Sequence, residues 1–459
     1  MIESRKFVNR KEELNVLENW YERDGFTLIL ITGRRRIGKS RLILEFMKGK
    51  NGLRIQFEKR KAEANLGKMN RTVAKFFEIP NPNFKSFTSL FEFIAKEVGN
   101  QRIVVALDEF SYLIKYTEIL AEFQTVIDDI LSKTNIFLIL SGSAVSMLKR
   151  SFLTYSSPLY GRSSATLFLQ PLRFKHVLEW FPIVPIENIV KIYAVTGGIP
   201  RYLEFFTGKN VDMEIIRNFF DSSSYLFREA KILFEEEFDS PEVYYAITEA
   251  ISHGYTRVSE IGNYCYIEPK NVSKYLRILM DLEIVQREFP IFSKKKKGGI
   301  YKIRDNYFNF WFRFISKYFE DIETGFNDEA ISEFKKNFNS YLGQAFEQIT
   351  KEFFIELSRK GELPIKLKKV GRWWHKNEEI DLVISDNEMN LILVEVKWKT
   401  LSYKKAKTIL SLLEKKGRYF EKNNIRYCLV AKKVEDKARL MKDYLIFDLE
   451  DIERTLRPS

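Results

Sequence analysis

The sequence is poor in the residues that build disulfide frameworks and metal clusters, with two cysteines, Cys265 and Cys428, and three histidines among 459 residues. It contains no CxxC pair and no His/Cys cluster, which excludes a disulfide scaffold and argues against structural zinc. It also lacks any uninterrupted run of about 18 apolar residues, and residues 1–6 do not form the apolar core of a signal peptide. We therefore expect a cytoplasmic protein without a membrane partner.

Basic residues are in excess at both ends of the chain. Lys and Arg total 75 against 62 Asp and Glu, a formal net charge of +13. Residues 1–210 contain 32 basic and 21 acidic residues, and residues 331–459 contain 27 and 20, whereas residues 211–330 have a net charge of −5. This excess favours polyanionic partners such as DNA, but net charge determines neither the fold nor the place of contact.

Short apolar runs alternate with longer helical periods between residues 27 and 140. The candidates for buried strands are residues 27–32, 53–57, 103–107 and 136–140. This alternation is typical of an α/β domain in which crossover helices connect the strands of a parallel sheet.

A glycine-rich loop directly follows the first of these strands. Residues 33–40 read GRRRIGKS, which is the GxxxxGKS pattern of a phosphate-binding P-loop, and a helical segment comes next. In such a loop backbone N–H groups surround the phosphates, Lys39 reaches the β- and γ-phosphates, and the Ser40 hydroxyl holds Mg²⁺. The residues expected to bind ATP or ADP with Mg²⁺ are Gly33, Arg34, Arg35, Arg36, Ile37, Gly38, Lys39, Ser40 and Arg41.

Two further strands end in polar side chains. Asp108 and Glu109 follow residues 103–107, and Ser141 follows residues 136–140. The carboxyl ends of parallel strands form the ligand edge of an α/β sheet, so these side chains are expected beside the P-loop. Asp108 would orient Mg²⁺ and Glu109 would polarise the attacking water, although an acidic pair that merely begins a helix is the alternative. Ser141 either senses the γ-phosphate or forms a plain turn.

Taken in order, these motifs resemble the archaeal ATPase family, which is allied to the STAND branch of AAA+-like NTPases. The resemblance covers about residues 1–230 and includes FVNRKEEL at 7–14, PLYGR at 158–162 and GGIPR at 197–201. It implies that Asn9 and Arg10 lie near the nucleotide base and that Pro200 approaches the adenine. Arg162 would sense the γ-phosphate, in the same subunit or from a neighbouring one, unless it is a solvated loop arginine.

The segment between residues 241 and 303 resembles a winged helix-turn-helix. A short helix near 256–261 precedes a second at 269–279, which would present Lys270, Lys274 and Arg277 to the major groove of DNA. The lysine run 294–297 would lie at the wing tip and bind phosphates. The alternative is a lid that packs within the molecule. The aromatic run 308–314 is expected to be packing core.

Charged residues interrupt an apolar strand in the last third of the chain. Glu395 and Lys397, at i and i+2 within residues 391–398, face the same side, and Asp381 lies in the preceding strand. Charges inside a buried strand are costly unless they are paired or bound to metal. Two carboxylates with a neighbouring ammonium suit Mg²⁺-dependent phosphodiester hydrolysis, in which the lysine stabilises or deprotonates the attacking water.

This pattern resembles the PD-(D/E)XK nuclease superfamily, in particular the restriction-like tail of archaeal ATPases. The resemblance implies a catalytic set of Asp381, Glu395 and Lys397, with both carboxylates as Mg²⁺ ligands and Glu347 as a further metal ligand. Ile380 stands where many members have a proline. A structural salt bridge and an inactive nuclease fold remain as alternatives.

The length of 459 residues, at roughly 100–200 residues per domain, predicts two to four domains. We expect a multidomain α/β protein whose segments are a P-loop NTPase core with a parallel sheet (1–210), a helical lid or linker (211–240), a winged helix-turn-helix (241–320) and an α/β restriction-endonuclease-like domain (321–459).

The expected function is ATP binding and hydrolysis that regulates a Mg²⁺-dependent nuclease acting on DNA. A STAND-type nucleotide-dependent signalling switch with an inactive nuclease-like scaffold is the alternative. A DNA-translocating motor is less favoured, because no tandem helicase core is visible. Whether a second copy of the chain or another protein is a partner stays open.

Overall fold

A computed structural model describes residues 7–143, 148, 151–152, 154–155, 157–293, 298–420 and 424–457. The chain forms two compact units, Met1–Pro171 and Leu172–Ser459, which are treated separately below. The expected wing-tip lysines at 294–297 lie outside the described residues. None of the described helices is both long and apolar enough to cross a membrane.

The first unit contains a parallel sheet with the strand order β2-β3-β4-β1-β5. Its strands are β1 (Thr27–Thr32), β2 (Gly52–Gln56), β3 (Ile103–Asp108), β4 (Ile136–Gly142) and β5 (Ala165–Phe168). Every residue of β1, β3 and β4 is buried, as expected for parallel strands that are covered on both faces. The sequence therefore predicted the first four strands to within two residues at their ends, and β5 was missed.

Helices connect these strands and cover the sheet. They are α1 (Lys11–Tyr21), α2 (Lys39–Phe46), α3 (Ala62–Phe76), α4 (Phe87–Val98) and α5 (Thr117–Thr125). The position of β4 between β1 and β3 has a direct consequence for the site. The P-loop after β1, Ser141 in β4 and Asp108 at the end of β3 meet at one edge of the sheet.

The second unit begins with helices and continues into an antiparallel strand pair. The helices are α6 (Phe174–Trp180), α7 (Ile186–Thr196), α8 (Pro200–Leu203), α9 (Val211–Phe219), α10 (Tyr225–Glu237), α11 (Pro241–Ser252), α12 (Val258–Cys265) and α13 (Pro269–Asp281), and the pair is β6 (Val285–Glu288) with β7 (Ile300–Ile303). Three short helices and a strand pair form the element order expected for residues 241–303. Their identification as a winged helix stays a prediction.

A second sheet lies near the end of this unit, with the strand order β12-β11-β10-β9-β8. Its strands are β8 (Lys369–His375), β9 (Glu378–Ser385), β10 (Leu391–Leu401), β11 (Ile425–Val434) and β12 (Leu445–Phe447). The remaining helices are α14 (Asn306–Phe314), α15 (Phe319–Thr324), α16 (Asp328–Arg359), α17 (Tyr403–Gly417), α18 (Lys437–Leu440) and α19 (Leu449–Leu456). Strand β10 pairs antiparallel with β9 and parallel with β11.

The aromatic helix α14 is packing core, as the sequence predicted. The Tyr307 hydroxyl donates to the Leu226 carbonyl over 2.9 Å, and the Trp311 indole N–H donates to the Phe227 carbonyl over 2.7 Å. One apolar cluster runs from Leu172 to Leu456 through this helix. Residues 172–210, which the sequence assigned to the ATPase core, thus pack with the second unit, while the four domain bounds stay a prediction.

Candidate functional site

The P-loop joins β1 to α2, and its conformation depends on its glycines. Gly38 begins α2 with a left-handed φ of 97°, and a Cβ on Gly33 would lie 2.8 Å from the Leu169 carbonyl oxygen. The side chain of Lys39 is buried, and its Nζ donates to the carbonyls of Gly33 over 2.8 Å and Arg34 over 3.2 Å. The loop therefore curls around the ammonium group that is expected to reach the phosphates.

The carboxylate of Asp108 collects the polar groups at this edge of the sheet. Its Oδ2 accepts a hydrogen bond from the Ser40 hydroxyl over 2.7 Å and another from the Arg54 guanidinium, and its Oδ1 accepts one from the Ser141 hydroxyl. Burial raises the pKa of the Asp108 carboxyl, but these hydrogen bonds and the Arg54 charge outweigh burial and hold the pKa below its ordinary value. Asp108 is therefore an anion at neutral pH, next to the P-loop serine.

Glu109 follows Asp108 with a left-handed φ of 57°. Its Oε2 accepts hydrogen bonds from the Ser143 hydroxyl over 2.9 Å, the Ser143 N–H over 3.3 Å and the Ser111 hydroxyl over 3.3 Å. Its Oε1 lies 4.0 Å from the Lys39 Nζ. Asp108 at the end of β3 and Glu109 directly after it thus both lie beside the P-loop, and their metal-orienting and water-polarising roles stay predictions.

Oxygen ligands are what Mg²⁺ prefers, and the Ser40 hydroxyl and the Asp108 carboxylate lie in direct contact at this edge. The residues present therefore fit a Mg²⁺–nucleotide complex. When bound there, Mg²⁺ would neutralise charge on the phosphate oxygens.

The residues expected around the base and the γ-phosphate occupy several places. Arg10 is buried, and its guanidinium donates to the Ile37 carbonyl over 3.2 Å and the Gln170 carbonyl over 2.7 Å. It thereby ties the P-loop to the segment that follows β5. Asn9 precedes it with a φ of 59°. Arg162 forms a two-bond ion pair with Asp128, at 2.8 and 2.7 Å. Pro200 begins α8 in the second unit. Their nucleotide-sensing roles stay predictions.

Two residues of the nucleotide site were not predicted from the sequence. Arg54, which contacts Asp108, is the single charged residue between Gly52 and Phe57, and that isolation was the available signal. Tyr112 accepts a hydrogen bond from the Arg35 guanidinium over 3.2 Å and thereby holds one arginine of the P-loop. Both contacts depend on which strands are neighbours, which the sequence left open.

In the second unit, Asp381 on β9 and Glu395 and Lys397 on β10 come together as predicted. The Lys397 Nζ donates to Glu395 Oε1 over 2.7 Å and to Asp381 Oδ2 over 3.2 Å, and the Val396 N–H donates to the same Asp381 oxygen over 2.8 Å. Burial lowers the pKa of Lys397, but the charges of both carboxylates outweigh burial and raise it. Lys397 is therefore an ammonium group at neutral pH, suited to stabilising negative charge rather than to removing a proton.

The expected third metal ligand, Glu347, lies on α16, and its role as a metal ligand stays a prediction. Among the residues with described positions, no three carboxylate, imidazole or thiolate groups come together as ligands of one ion. The Lys397 ammonium bonds both strand carboxylates, and Glu347 lies half-buried on α16, where burial and the Asp381 charge raise its pKa to about 7. Asp381 and Glu395 alone would already suit Mg²⁺, because that ion keeps several waters.

Lys416 on α17 is a further cation that the sequence reading missed. Its Nζ lies 3.6 Å from Glu395 Oε2 and donates to the Glu379 carbonyl over 2.8 Å. Glu395 Oε2 is buried and accepts no hydrogen bond from the described residues, so it remains able to bind a cation or a water. Nothing in residues 403–417 distinguishes Lys416 from its neighbouring lysines, because its role depends on how α17 packs on the sheet.

The three expected DNA-contacting cations on α13 are exposed. Lys270, Lys274 and Arg277 follow the i, i+4, i+7 spacing of one helix face, while Val272, Leu276 and Leu279 are buried on the other. The helix thus leaves a basic face open to solvent.

Two family models match separate parts of the chain. Residues 7–206 match the family described as an ATPase domain predominantly from Archaea. Residues 311–409 match a family described as archaeal and bacterial proteins of unknown function.

Individual relatives extend this match. An uncharacterised protein of Methanocaldococcus jannaschii is 38% identical over 453 residues, which cover 97% of this chain and 99% of that protein. An uncharacterised ATP-binding protein of the same organism is 50% identical over 44 residues, 10% of this chain and 75% of that protein. Among solved structures, the Walker-type ATPase of Pyrococcus abyssi has a TM-score of 0.53 at 25% identity and covers 67% of this chain and 96% of its own.

Proposed function

The chain belongs to the family of the M. jannaschii relative that it matches over nearly the whole of both chains, and it carries an archaeal P-loop ATPase domain. On that premise we propose that it is an ATPase whose nucleotide state controls a Mg²⁺-dependent nuclease acting on DNA. The ATPase half is supported by the family match and by the P-loop geometry. The nuclease half rests on the side chains of the second sheet.

In the ATPase half, Lys39 binds the terminal phosphates, and the backbone N–H groups of the P-loop surround them. Ser40 and Asp108 supply the oxygen ligands for the metal, and Glu109 polarises the attacking water. The serine hydrogen bonds to Glu109 support this role because they fix its carboxylate within 4.0 Å of the lysine that holds the phosphate. The Ser141 hydroxyl donates a hydrogen bond to Asp108 and accepts one from the Glu109 backbone N–H over 3.4 Å. A shift of Ser141 when the γ-phosphate binds or leaves would therefore move both acidic residues.

The observation that carries the nuclease half is the bonding of Lys397 to both Asp381 and Glu395 on adjacent strands. Two carboxylates with one ammonium between them provide ligands for Mg²⁺ and a positive charge for the pentacovalent phosphate of the transition state. Glu395 Oε2 supports metal binding, because no described residue donates a hydrogen bond to it and its nearest cation, the Lys416 Nζ, lies 3.6 Å away. The basic face of α13 provides exposed cations for the phosphates of a DNA duplex.

A nucleotide-dependent switch with a non-catalytic second sheet is the second candidate. It is favoured by the same ammonium, because Lys397 already pairs with both carboxylates. In that case the lysine bridge would serve only to keep the buried Asp381 and the half-buried Glu395 paired.

The test is cleavage of supercoiled plasmid and of single-stranded DNA by the full chain in Mg²⁺, with ATP, ADP or no nucleotide. Wild-type protein is expected to cleave, and Asp381→Ala is expected to abolish cleavage because it removes a metal ligand. Glu388→Gln is the matched control, since this exposed carboxylate lies in the turn between the same two strands.

Absence of metal-dependent cleavage by the wild-type chain in every nucleotide state would refute the nuclease half and favour the switch. The ATPase half is tested separately by ATP turnover in Lys39→Ala, with the exposed Lys48→Ala on the same segment as control. Undiminished binding and turnover in Lys39→Ala would refute it.

A further inference from the structure

Arg54 contacts Asp108, but the proposed steps of nucleotide binding and ATP hydrolysis give this arginine no role. Asp108 is fully buried, and an unpaired carboxylate in such a place is costly, so some cation must compensate its charge. The side chain that does so is Arg54, which reaches Asp108 Oδ2 from the neighbouring strand. The same oxygen is bonded by the Ser40 hydroxyl, which is the expected metal ligand of the P-loop.

Strand register explains how Arg54 comes to this position. Strands β2 and β3 are parallel, with Arg54 opposite Ala106 and Gln56 opposite Asp108. Arg54 therefore lies one same-face position before Asp108 and extends its long side chain along the strand direction to the carboxylate. The guanidinium thus meets Asp108 at the ligand edge of the sheet.

We propose that Arg54 is a positioning residue that acts as the counter-ion of Asp108 while no Mg²⁺ is bound and that must leave this carboxylate when Mg²⁺–nucleotide binds. A divalent cation held by Ser40 and Asp108 would stand within a few Å of the guanidinium, and like charges at that distance repel strongly in a buried site. Arg54 thereby sets the Mg²⁺ concentration at which the nucleotide site is occupied. This inference rests on the nucleotide-binding half of the proposed function and is independent of the nuclease half.

The attachments of Arg54 are those of a side chain that can move. Apart from Asp108, its guanidinium reaches only Gln56 Oε1, at 3.5 Å, among the described residues. Its Nε is buried without a hydrogen-bond partner in the same part of the chain. The side chain is also 22% exposed, so it has a path towards solvent at Gln56. By contrast, Lys39 is held by two loop carbonyls and stands ready for the phosphates.

The experiment measures ADP binding to the full chain as a function of Mg²⁺ concentration, together with the melting temperature in EDTA and in Mg²⁺–ADP. For Arg54→Gln we expect the Mg²⁺ midpoint to fall about tenfold, because one charge-assisted hydrogen bond no longer competes for Asp108. ADP affinity at saturating Mg²⁺ should stay within about twofold of wild type. The melting temperature should fall in EDTA and recover in Mg²⁺–ADP.

Two variants serve as references. Arg54→Lys keeps a cation beside Asp108 and should restore most of the wild-type Mg²⁺ midpoint. Arg60→Gln removes an exposed arginine six residues further along the chain, paired with Glu58, and should change neither readout.

Each other outcome overturns the proposal. An unchanged or higher Mg²⁺ midpoint in Arg54→Gln would show that Arg54 does not compete with the metal. Weaker ADP binding at saturating Mg²⁺ would show that Arg54 contacts the nucleotide itself, and equal melting losses with and without Mg²⁺–ADP would show a purely structural role. If the wild-type chain binds no ADP at all, the nucleotide-binding half of the proposed function fails instead.

Discussion

Replacing the carboxylate of Glu109 with an amide separates ATP hydrolysis from ATP binding. In Glu109→Gln the amide oxygen can still accept the hydrogen bonds that Ser143 and Ser111 now donate to Oε2, so the loop after β3 should keep its conformation. The amide cannot accept a proton from water. We therefore expect turnover to fall by a factor of about 10²–10⁴, the usual contribution of a general base, or about 3–5 kcal/mol in barrier height.

The change should not weaken nucleotide binding. Glu109 Oε1 lies 4.0 Å from the Lys39 Nζ, and at an effective dielectric constant of about 20 this attraction has an upper bound of about 4 kcal/mol. Without the Glu109 charge, no carboxylate competes with the phosphates for the Lys39 ammonium at this distance. ATP affinity in Glu109→Gln should therefore equal or exceed that of the wild-type chain.

Steady-state phosphate release and equilibrium binding of a fluorescent ATP analogue measure the two effects. Glu118→Gln on α5 is the matched control, because this glutamate is exposed. Turnover within about threefold of wild type in Glu109→Gln would refute the assignment of a base. So would a parallel loss of ATP affinity, since it would mean that Glu109 only maintains the loop.

Three further changes test the second unit. Lys397→Met should bind Mn²⁺ or Mg²⁺ at least as tightly as wild type by calorimetry, because two carboxylates lose a competing ammonium, yet cleave DNA at least about 10²-fold more slowly. Glu352→Ala should lower the free energy of unfolding by about 2–4 kcal/mol in denaturant melts, because the N–H groups of Phe174 and Lys175 lose their acceptor at 2.9 and 3.0 Å. Burial and the Asp381 charge raise the pKa of Glu347 from 4.5 to about 7. Between these pH values the folded chain therefore holds a proton that the unfolded chain has lost, and the free energy of unfolding falls as the pH rises through this window to about 7. Glu347→Gln should therefore stabilise the chain at pH 8 relative to wild type, by at most about 3 kcal/mol, and have little effect at pH 4.

Each of these has its own control and contrary result. Lys399→Met alters an exposed lysine on the same strand, and equal cleavage by Lys397→Met and Lys399→Met would remove Lys397 from the mechanism. Glu362→Ala is an exposed counterpart for Glu352→Ala, and equal stability of those two variants would show that the α6 contact contributes nothing. A pH-independent effect of Glu347→Gln would mean that its carboxyl titrates normally.

The sequence predicted those residues of the nucleotide site that follow one another along the chain. The P-loop from Gly33 to Ser40 combines glycine, lysine and serine at fixed spacing, and the chain conformation there follows from local geometry. The meeting of Ser40 with Asp108 was also predictable, since parallel strands present their carboxyl ends at one edge. Arg54 was not, because its role depends on β2 lying beside β3, and strand order follows from packing of the whole sheet.

The second unit shows the same limit. Asp381, Glu395 and Lys397 were found because charges are rare inside apolar strands, and their strands proved to be neighbours. The part of Glu347 stays a prediction, because the reach of a helix side chain towards a sheet is fixed by packing and not by spacing. The first unit ends at Pro171, because the apolar side chains of α6 and α7 pack in one cluster with those of α14 and α16, far along the chain.

Cleavage of a labelled DNA duplex by the Lys39→Ala variant, followed in Mg²⁺ with ATP, ADP or no nucleotide, tests most directly whether nucleotide controls the nuclease. This variant keeps Asp381, Glu395 and Lys397 intact and removes the phosphate-binding ammonium. The account predicts that wild-type cleavage changes with the nucleotide supplied and that Lys39→Ala loses this dependence. Wild-type cleavage that is identical in all three nucleotide states, or no cleavage at all, would contradict it.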